Sequence, residues 1–162
     1  MRRPRFRVSP GFLVLTALFL FWDRDGTALA ILIAWLAHEC GHLLLLYGMG
    51  GRVGRVELTL SGARIEAEKG RGLSYAGELM SVLAGPGINL ALAAGCARLG
   101  ERWYLFAGVN LVLGVFNLLP VPGLDGGRVL ALLKLLLVEE EKKRKKEWKN
   151  FLQTGAHCGI LP

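Results

Sequence analysis

Apolar residues are concentrated in four long runs, separated by short stretches that carry most of the charge. The runs are too continuous for surface helices of a soluble protein, in which polar side chains recur at every turn. At 1.5 Å per residue the second run gives about 31 Å of helix, which matches the thickness of a bilayer core. We therefore predict an all-α polytopic membrane protein with about four transmembrane segments, near residues 9–22, 27–47, 74–98 and 103–119.

The first run follows a basic N-terminus, an arrangement that is also typical of a signal peptide. The residues after Trp22 read Asp-Arg-Asp-Gly and contain no small-residue cleavage site, so we expect this segment to be retained. Two possibilities stay open for it. It is either a complete span or a half-inserted segment, because it is short for a span unless residues 8–11 join it.

Composition and charge agree with a membrane protein. Hydrophobic residues make up 52% of the 162-residue chain and the mean hydropathy is +0.40, which excludes a disordered protein. The net charge is +7, but the basic residues do not alternate with aromatic residues along one face. We therefore expect no nucleic-acid partner.

Basic residues are distributed unevenly between the loops. With four crossings, residues 1–9, 51–71 and the tail lie on one side and hold fifteen of the twenty basic residues. The other side holds three, and Arg128 and Lys134, in and just after the bent segment, are not counted. The positive-inside rule then places both termini in the cytoplasm, most simply across a bacterial cytoplasmic membrane. We assign residues 1–138 to the membrane core and 139–162 to a charged cytoplasmic tail.

The second run contains ionisable residues in an otherwise apolar segment, where they are costly unless they have a function. Residues 38–42 read His-Glu-Cys-Gly-His. On a helix, His38 and His42 project from one face and can bind one metal ion, while Glu39 lies next to that face as a candidate general base. This pattern predicts a catalytic metal site, with zinc as the expected ion.

Two histidines leave a catalytic zinc ion short of one protein ligand. Asp125 is the candidate for the third position, because the prolines and glycines of residues 120–127 would bend the chain and bring one carboxylate towards a neighbouring helix. Glu78 competes, but it lies at the edge of the third run, where headgroups would solvate it. We expect the bent segment to be a turn or a re-entrant loop.

Asparagines inside the apolar runs have two interpretations. Asn89 follows the sequence Ala-Gly-Pro-Gly-Ile, and Asn110 and Asn117 lie in the fourth run. Each amide either makes a hydrogen bond between helices or contacts the substrate. We select Asn89 and Asn117 as candidate substrate-binding residues.

Residues 51–69 differ from their surroundings. Apolar and polar residues alternate on both sides of the dipeptide Ser61-Gly62, a pattern typical of a β-hairpin. An exposed strand edge could pair with an unwound substrate and present its peptide bond to the metal. A plain cytoplasmic loop is the alternative.

The three motifs at 38–42, 84–89 and 117–127 occur in an order that resembles the site-2 protease family of intramembrane zinc metalloproteases. The resemblance covers roughly residues 9–133, and the short form is most similar to the sporulation branch, which processes a sigma-factor precursor. It implies one zinc ion held by His38, His42 and Asp125, with Glu39 as general base and Asn89 and Asn117 lining the site.

The resemblance also implies the reaction and the partners. Family members hydrolyse a peptide bond in or next to a membrane segment, so we expect a membrane-embedded or membrane-tethered protein substrate and release of a signalling or transcription factor. A regulatory membrane protein is a further candidate partner. The alternative function is a zinc transporter or sensor that uses the same ligands. It would not need Glu39, and it would need acidic residues along a path, which the sequence does not supply.

Overall fold

The computed structural model describes residues 5–59, 62–67 and 73–155. Five α-helices, one 3-10 turn and three β-strands are present in these ranges. In chain order they are β1 (Arg5–Val8), α1 (Pro10–Trp22), α2 (Thr27–Gly48), β2 (Val53–Thr59), β3 (Gly62–Ala67), α3 (Tyr75–Ala97), a 3-10 turn (Glu101–Trp103), α4 (Tyr104–Asn117) and α5 (Asp125–Gly155).

The four apolar runs form helices whose ends lie within two residues of the predicted positions. Capping side chains explain two of the starts. The Ser9 hydroxyl accepts a hydrogen bond from the Phe12 N–H at 3.2 Å, and the Ser74 hydroxyl accepts one from the Gly77 N–H at 3.2 Å. Both serines satisfy backbone donors that the first helical turn leaves unpaired.

Helix α2 begins at a charged corner. The Asp23 carboxylate accepts a hydrogen bond from the Leu29 N–H at 3.1 Å, in the first turn of the helix. Desolvation raises the pKa of Asp23, but hydrogen bonds from the backbone of residues 26–29 outweigh it and hold the pKa below its ordinary value. The corner therefore keeps a negative charge at the positive end of the α2 dipole.

Helix α3 is the centre of the bundle and packs against α2, α4 and α5, whereas α1 contacts α2 over a small area. Small residues allow the close approach of α2 and α3. A Cβ atom at Gly41 would lie 2.8 Å from the Ala84 carbonyl oxygen, so only glycine fits there. Helix α3 also contains Pro86, which is fully buried.

Many large apolar side chains lie on the outside of the bundle, whereas several polar side chains are buried inside it. Helix α1 has no buried residue, and Phe21 and Trp22 are 85% and 73% exposed. Among the residues whose burial the structure describes, the buried polar ones are His38, His42, Ser81, Asn89, Asn110 and Asp125. Such a surface suits lipid better than water.

Two helices among the described residues, α2 and α3, are long and apolar enough to cross a membrane. Helices α1 and α4 have 13 and 14 residues, which corresponds to about 20 Å each. The expected mostly helical architecture is therefore present, and the count of four spans stays a prediction.

The three strands form one sheet in the order β1-β2-β3. Strands β2 and β3 pair antiparallel at the predicted hairpin, with Val56 opposite Ile65. Residues 60–61 and 68–69 of that hairpin lie outside the described residues. Strand β1, which we did not predict, pairs parallel to β2 with Phe6 opposite Val56. The sequence signal for this strand is the alternation of arginine with Phe6 and Val8.

Helix α5 runs without interruption from Asp125 to Gly155, across the boundary that we predict between core and tail at residue 138. The end of the tail, residues 156–162, lies outside the described residues. The expected bent segment is a turn at residues 118–124, in which Gly123 has a φ of +97°. This turn ends α4 and places Asp125 in the first turn of α5.

Candidate metal centre

Three side chains converge inside the bundle. The Nε2 atoms of His38 and His42 are 3.1 Å apart, and the Asp125 Oδ2 atom lies 2.9 Å from the first and 3.2 Å from the second. All three residues are buried, at 4–8% exposure. Two helices that are remote in sequence, α2 and α5, thus supply the three donors that the sequence predicts.

Helical spacing positions the two histidines. Their rings lie one turn apart on α2, with centroids 4.7 Å apart and planes nearly perpendicular at 86°. Asp125 reaches them because α5 begins directly against the preceding turn. A Cβ atom at Gly126 would collide with the carbonyl oxygens of Leu118 and Leu119, so the glycine is required at this approach.

The second ring nitrogen of each histidine has a partner on α3. His42 Nδ1 lies 2.8 Å from the Ser81 carbonyl oxygen, and His38 Nδ1 lies 2.6 Å from Asn89 Oδ1. Both partners are acceptors, so each Nδ1 carries the proton and donates it. In the neutral form of each ring, Nε2 therefore presents a lone pair to the centre of the group.

Two lone pairs and a carboxylate that face one another at about 3 Å repel unless a positive charge lies between them. In tetrahedral coordination, zinc bonds of 2.0–2.2 Å separate neighbouring donors by roughly 3.3 Å. The observed separations of 2.9–3.2 Å are close to that value. Two imidazoles and one carboxylate are also a donor set typical of catalytic zinc, so these residues fit the ion.

Gly85 forms one wall of this centre. A Cβ atom at this position would lie 2.9 Å from His38 Nε2 and would collide with the His42 ring. In the sequence, Gly85 is visible only as part of the Ala-Gly-Pro-Gly-Ile segment before Asn89. Its role beside the imidazoles becomes visible only in the packing of α3 against α2.

The remaining candidates lie around the three donors. Glu39 is half-buried on α2, next to His38 in the chain. Glu78 approaches Arg128 instead, at 3.8 Å between Oε1 and Nη2, and is not part of the converging group. Asn117 ends α4, where its amide nitrogen donates to the Leu113 carbonyl oxygen at 3.0 Å.

Asn89 is fully buried, and its amide is hydrogen-bonded to His38, to Asn110 and to the Ala34 carbonyl oxygen. This is the interhelical alternative among the two that the sequence allows. The substrate contacts predicted for Asn89 and Asn117 stay predictions. Sequence reasoning gave no site role to Ser81, whose contribution is a backbone carbonyl and so leaves no residue-type signal.

The chain is similar in sequence to known proteins. The family model described as peptidase family M50 matches residues 96–158, a range that contains Asp125 but not the histidine motif. Stage IV sporulation protein FB of Bacillus subtilis is 31% identical over 136 residues, which cover 80% of this chain and 47% of that protein. Rip3 of Mycobacterium tuberculosis, whose name describes a zinc metalloprotease, is 37% identical over 118 residues, 64% of this chain and 30% of Rip3.

The fold has a counterpart in a solved structure. The site-2 protease from Methanocaldococcus jannaschii superposes with a TM-score of 0.60 at 22% identity, covering 82% of this chain and 69% of that one. The chain spans about half the length, or less, of the curated relatives that it matches. The motif order, the family model over residues 96–158 and the curated relatives all indicate similarity to the site-2 protease family, peptidase family M50, and the fold is similar to that of a solved site-2 protease.

Proposed function

We propose that this chain is a zinc-dependent intramembrane endopeptidase that hydrolyses a peptide bond in or next to a membrane segment of a substrate protein. One observation carries the proposal: the Nε2 atoms of two imidazoles and the Asp125 carboxylate converge inside an apolar bundle, and both Nδ1 atoms face acceptors on α3. A zinc ion bound by His38, His42 and Asp125 supplies Lewis-acid polarisation of the scissile carbonyl and lowers the pKa of water.

Glu39 acts as the general base in this proposal. Its carboxylate accepts a proton from the attacking water, whose oxygen bonds to the carbonyl carbon of the scissile peptide. The carbon–nitrogen bond then breaks, and Glu39 returns the proton to the leaving amine. Glu39 suits this role because it follows His38 directly on α2 and is half-buried. Asn117 is the proposed contact to the substrate backbone.

The sheet is the proposed docking surface for an extended substrate. The Ser9 N–H donates to the Leu58 carbonyl oxygen at 2.9 Å, and the Phe12 ring lies 5.4 Å from the Trp35 ring. Ser9 precedes Phe12 by three residues, and His38 follows Trp35 by three residues on the antiparallel helix. The end of β2 is thus at about the depth of His38, which supports strand pairing next to the metal.

We further propose four crossings with both termini in the cytoplasm. Strands β1 and β2 are hydrogen-bonded, so residues 5–8 and 53–59 lie on the same side of any membrane that α2 crosses. Helix α1 must then cross as well, although it has only 13 residues. Regulation by a second membrane protein stays a prediction.

A zinc transporter or sensor is the alternative, and Glu39 separates it from an enzyme. Glu39→Gln preserves side-chain size but removes the basicity, so zinc content of the purified protein is expected to stay near one while cleavage falls about 10²–10⁴-fold. Asp125→Asn weakens a proposed ligand, so it should lower both the zinc content and the rate of cleavage. Cleavage is measured as a size shift after co-expression with single-span membrane proteins that carry helix-breaking residues beside their span.

Three outcomes contradict these roles. Appreciable cleavage by Glu39→Gln would remove Glu39 from the reaction. Loss of zinc from Glu39→Gln together with full loading of Asp125→Asn would exchange their roles. A wild-type protein that binds zinc and moves it across vesicle membranes without cleaving any of these proteins would favour the transporter.

A further inference from the structure

A chain of two buried amides connects His38 to helix α4. Asn89 and Asn110, on α3 and α4, are both completely buried, and with Pro86 they are the largest fully buried side chains among the described residues. Asn89 Nδ2 donates to Asn110 Oδ1 at 2.9 Å, and Asn89 Oδ1 accepts from His38 Nδ1 at 2.6 Å. We call these two residues the amide relay.

Backbone carbonyls fix the direction of the relay. Asn110 Nδ2 donates to the Phe106 carbonyl oxygen at 2.8 Å, and Asn89 Nδ2 donates to the Ala34 carbonyl oxygen at 3.0 Å. A carbonyl oxygen only accepts, so each amide nitrogen must face its carbonyl and each amide oxygen must face the other way. The oxygen of Asn89 therefore points at His38 and can only accept from it.

The two histidines differ in how they are held. His42 Nδ1 donates to the backbone carbonyl of Ser81, which no side-chain substitution removes directly. His38 Nδ1 instead donates to the side-chain amide of Asn89, and that amide donates in turn to the amide of Asn110. Without Asn89, His38 could rotate or carry its proton on Nε2, and that nitrogen would no longer face Asp125 as a donor atom.

We propose that Asn89 and Asn110 are positioning residues that set which nitrogen His38 presents to the metal, with Asn110 acting only through Asn89. This proposal rests on the metal site in the proposed function but not on proteolysis. Placing two amides in an apolar bundle is costly unless all their polar atoms are paired, and the relay pairs them along one line that ends at the metal ligand.

Metal affinity tests the proposal without any substrate. Zinc affinity of the purified protein is measured by chelator competition, and the absorption spectrum of the Co²⁺-loaded protein reports the ligand geometry. Asn89→Leu should weaken zinc binding by about 10–100-fold, and Asn110→Leu should weaken it by a smaller factor. In the double variant Asn110→Leu should add nothing to the effect of Asn89→Leu, because the relay is already interrupted.

Conservative variants separate positioning from general packing. A protonated carboxyl at Asn110→Asp can still accept from Asn89 and donate to Phe106, so zinc affinity and the Co²⁺ spectrum should stay close to wild type. Asn110→Ser is too short to reach Asn89 and should lose affinity. These two variants decide the matter even if the leucine variants fail to accumulate.

Three results would overturn the proposal. One is an Asn110→Leu variant with wild-type zinc affinity, and another is strict additivity of the two leucine substitutions. The third is equal affinity of Asn110→Asp and Asn110→Ser. Because none of these measurements involves cleavage, a protein that binds zinc through the relay but cleaves nothing would refute the proposed enzyme and leave the relay intact.

Discussion

Gly85 lies so close to the imidazole ring of His42 that no side chain fits between them. A Cβ atom on Gly85 would overlap the His42 ring and lie 2.9 Å from His38 Nε2. The two histidines on α2 therefore pack directly against the α3 backbone at this glycine. This contact fixes the spacing of the two helices, and it gives the sharpest test of the site.

Gly85→Ala is expected to displace at least one histidine and to lower zinc content. Overpacking by one methyl group in a rigid contact costs about 1–3 kcal/mol, which corresponds to roughly 5- to 150-fold in affinity. Zinc is measured in the purified protein by elemental analysis. Gly87→Ala is the matched control, because a Cβ atom at Gly87 meets nothing within 4 Å on the same helix.

The control makes the result specific to the centre. Gly85 and Gly87 have the same helix propensity and lie on either side of Pro86, so a general effect on α3 should appear in both variants. Full zinc loading in Gly85→Ala would show that the histidines do not need this contact. Equal loss in both variants would point to the helix rather than to the metal centre.

The sheet gives a second prediction. Proline at Leu58 removes a backbone N–H from the central strand, which pairs with β1 on one side and β3 on the other. We expect Leu58→Pro to keep its zinc and to lose substrate cleavage, because the ligands lie on helices. Leu58→Ala keeps the N–H and serves as the control. Normal cleavage by Leu58→Pro would exclude the sheet as the docking surface.

Topology gives a third prediction, which follows from the asymmetry of basic residues and from the parallel pairing of β1 with β2. Reporter fusions after Lys149 and after Arg71 should both show cytoplasmic activity. A fusion after Asp25, at the corner between α1 and α2, should show the opposite side. A cytoplasmic signal at that corner would mean that α1 and α2 do not cross, and the four-crossing arrangement would fail.

The convergence of the three candidate ligands could be predicted from the sequence because their signal is local. His38 and His42 are four residues apart in one apolar run, and Asp125 follows a segment whose prolines and glycines require a bend. The ends of α1 to α4 lie within two residues of the predicted runs for the same reason. In each case the pattern lies within a few turns of the residue concerned.

The parts that escaped prediction depend on contacts between remote segments. Ser81 and Asn89 reach the histidines only because α3 packs against α2 in one register, and no periodicity within either helix specifies that register. The pairing of β1 with β2 joins residues about fifty positions apart. The two possible roles of Asn89 could be stated in advance, but only its burial shows the amide engaged between helices.

The parallel pair β1–β2 has a consequence for how the protein is made. Parallel strands need a crossover between them, and here the crossover is the helical pair α1–α2. In the proposed topology both helices must enter the bilayer before β1 can meet β2. If α1 did not insert, β1 and β2 would lie on opposite sides of the membrane. The sheet would therefore form only in molecules in which both helices have inserted correctly.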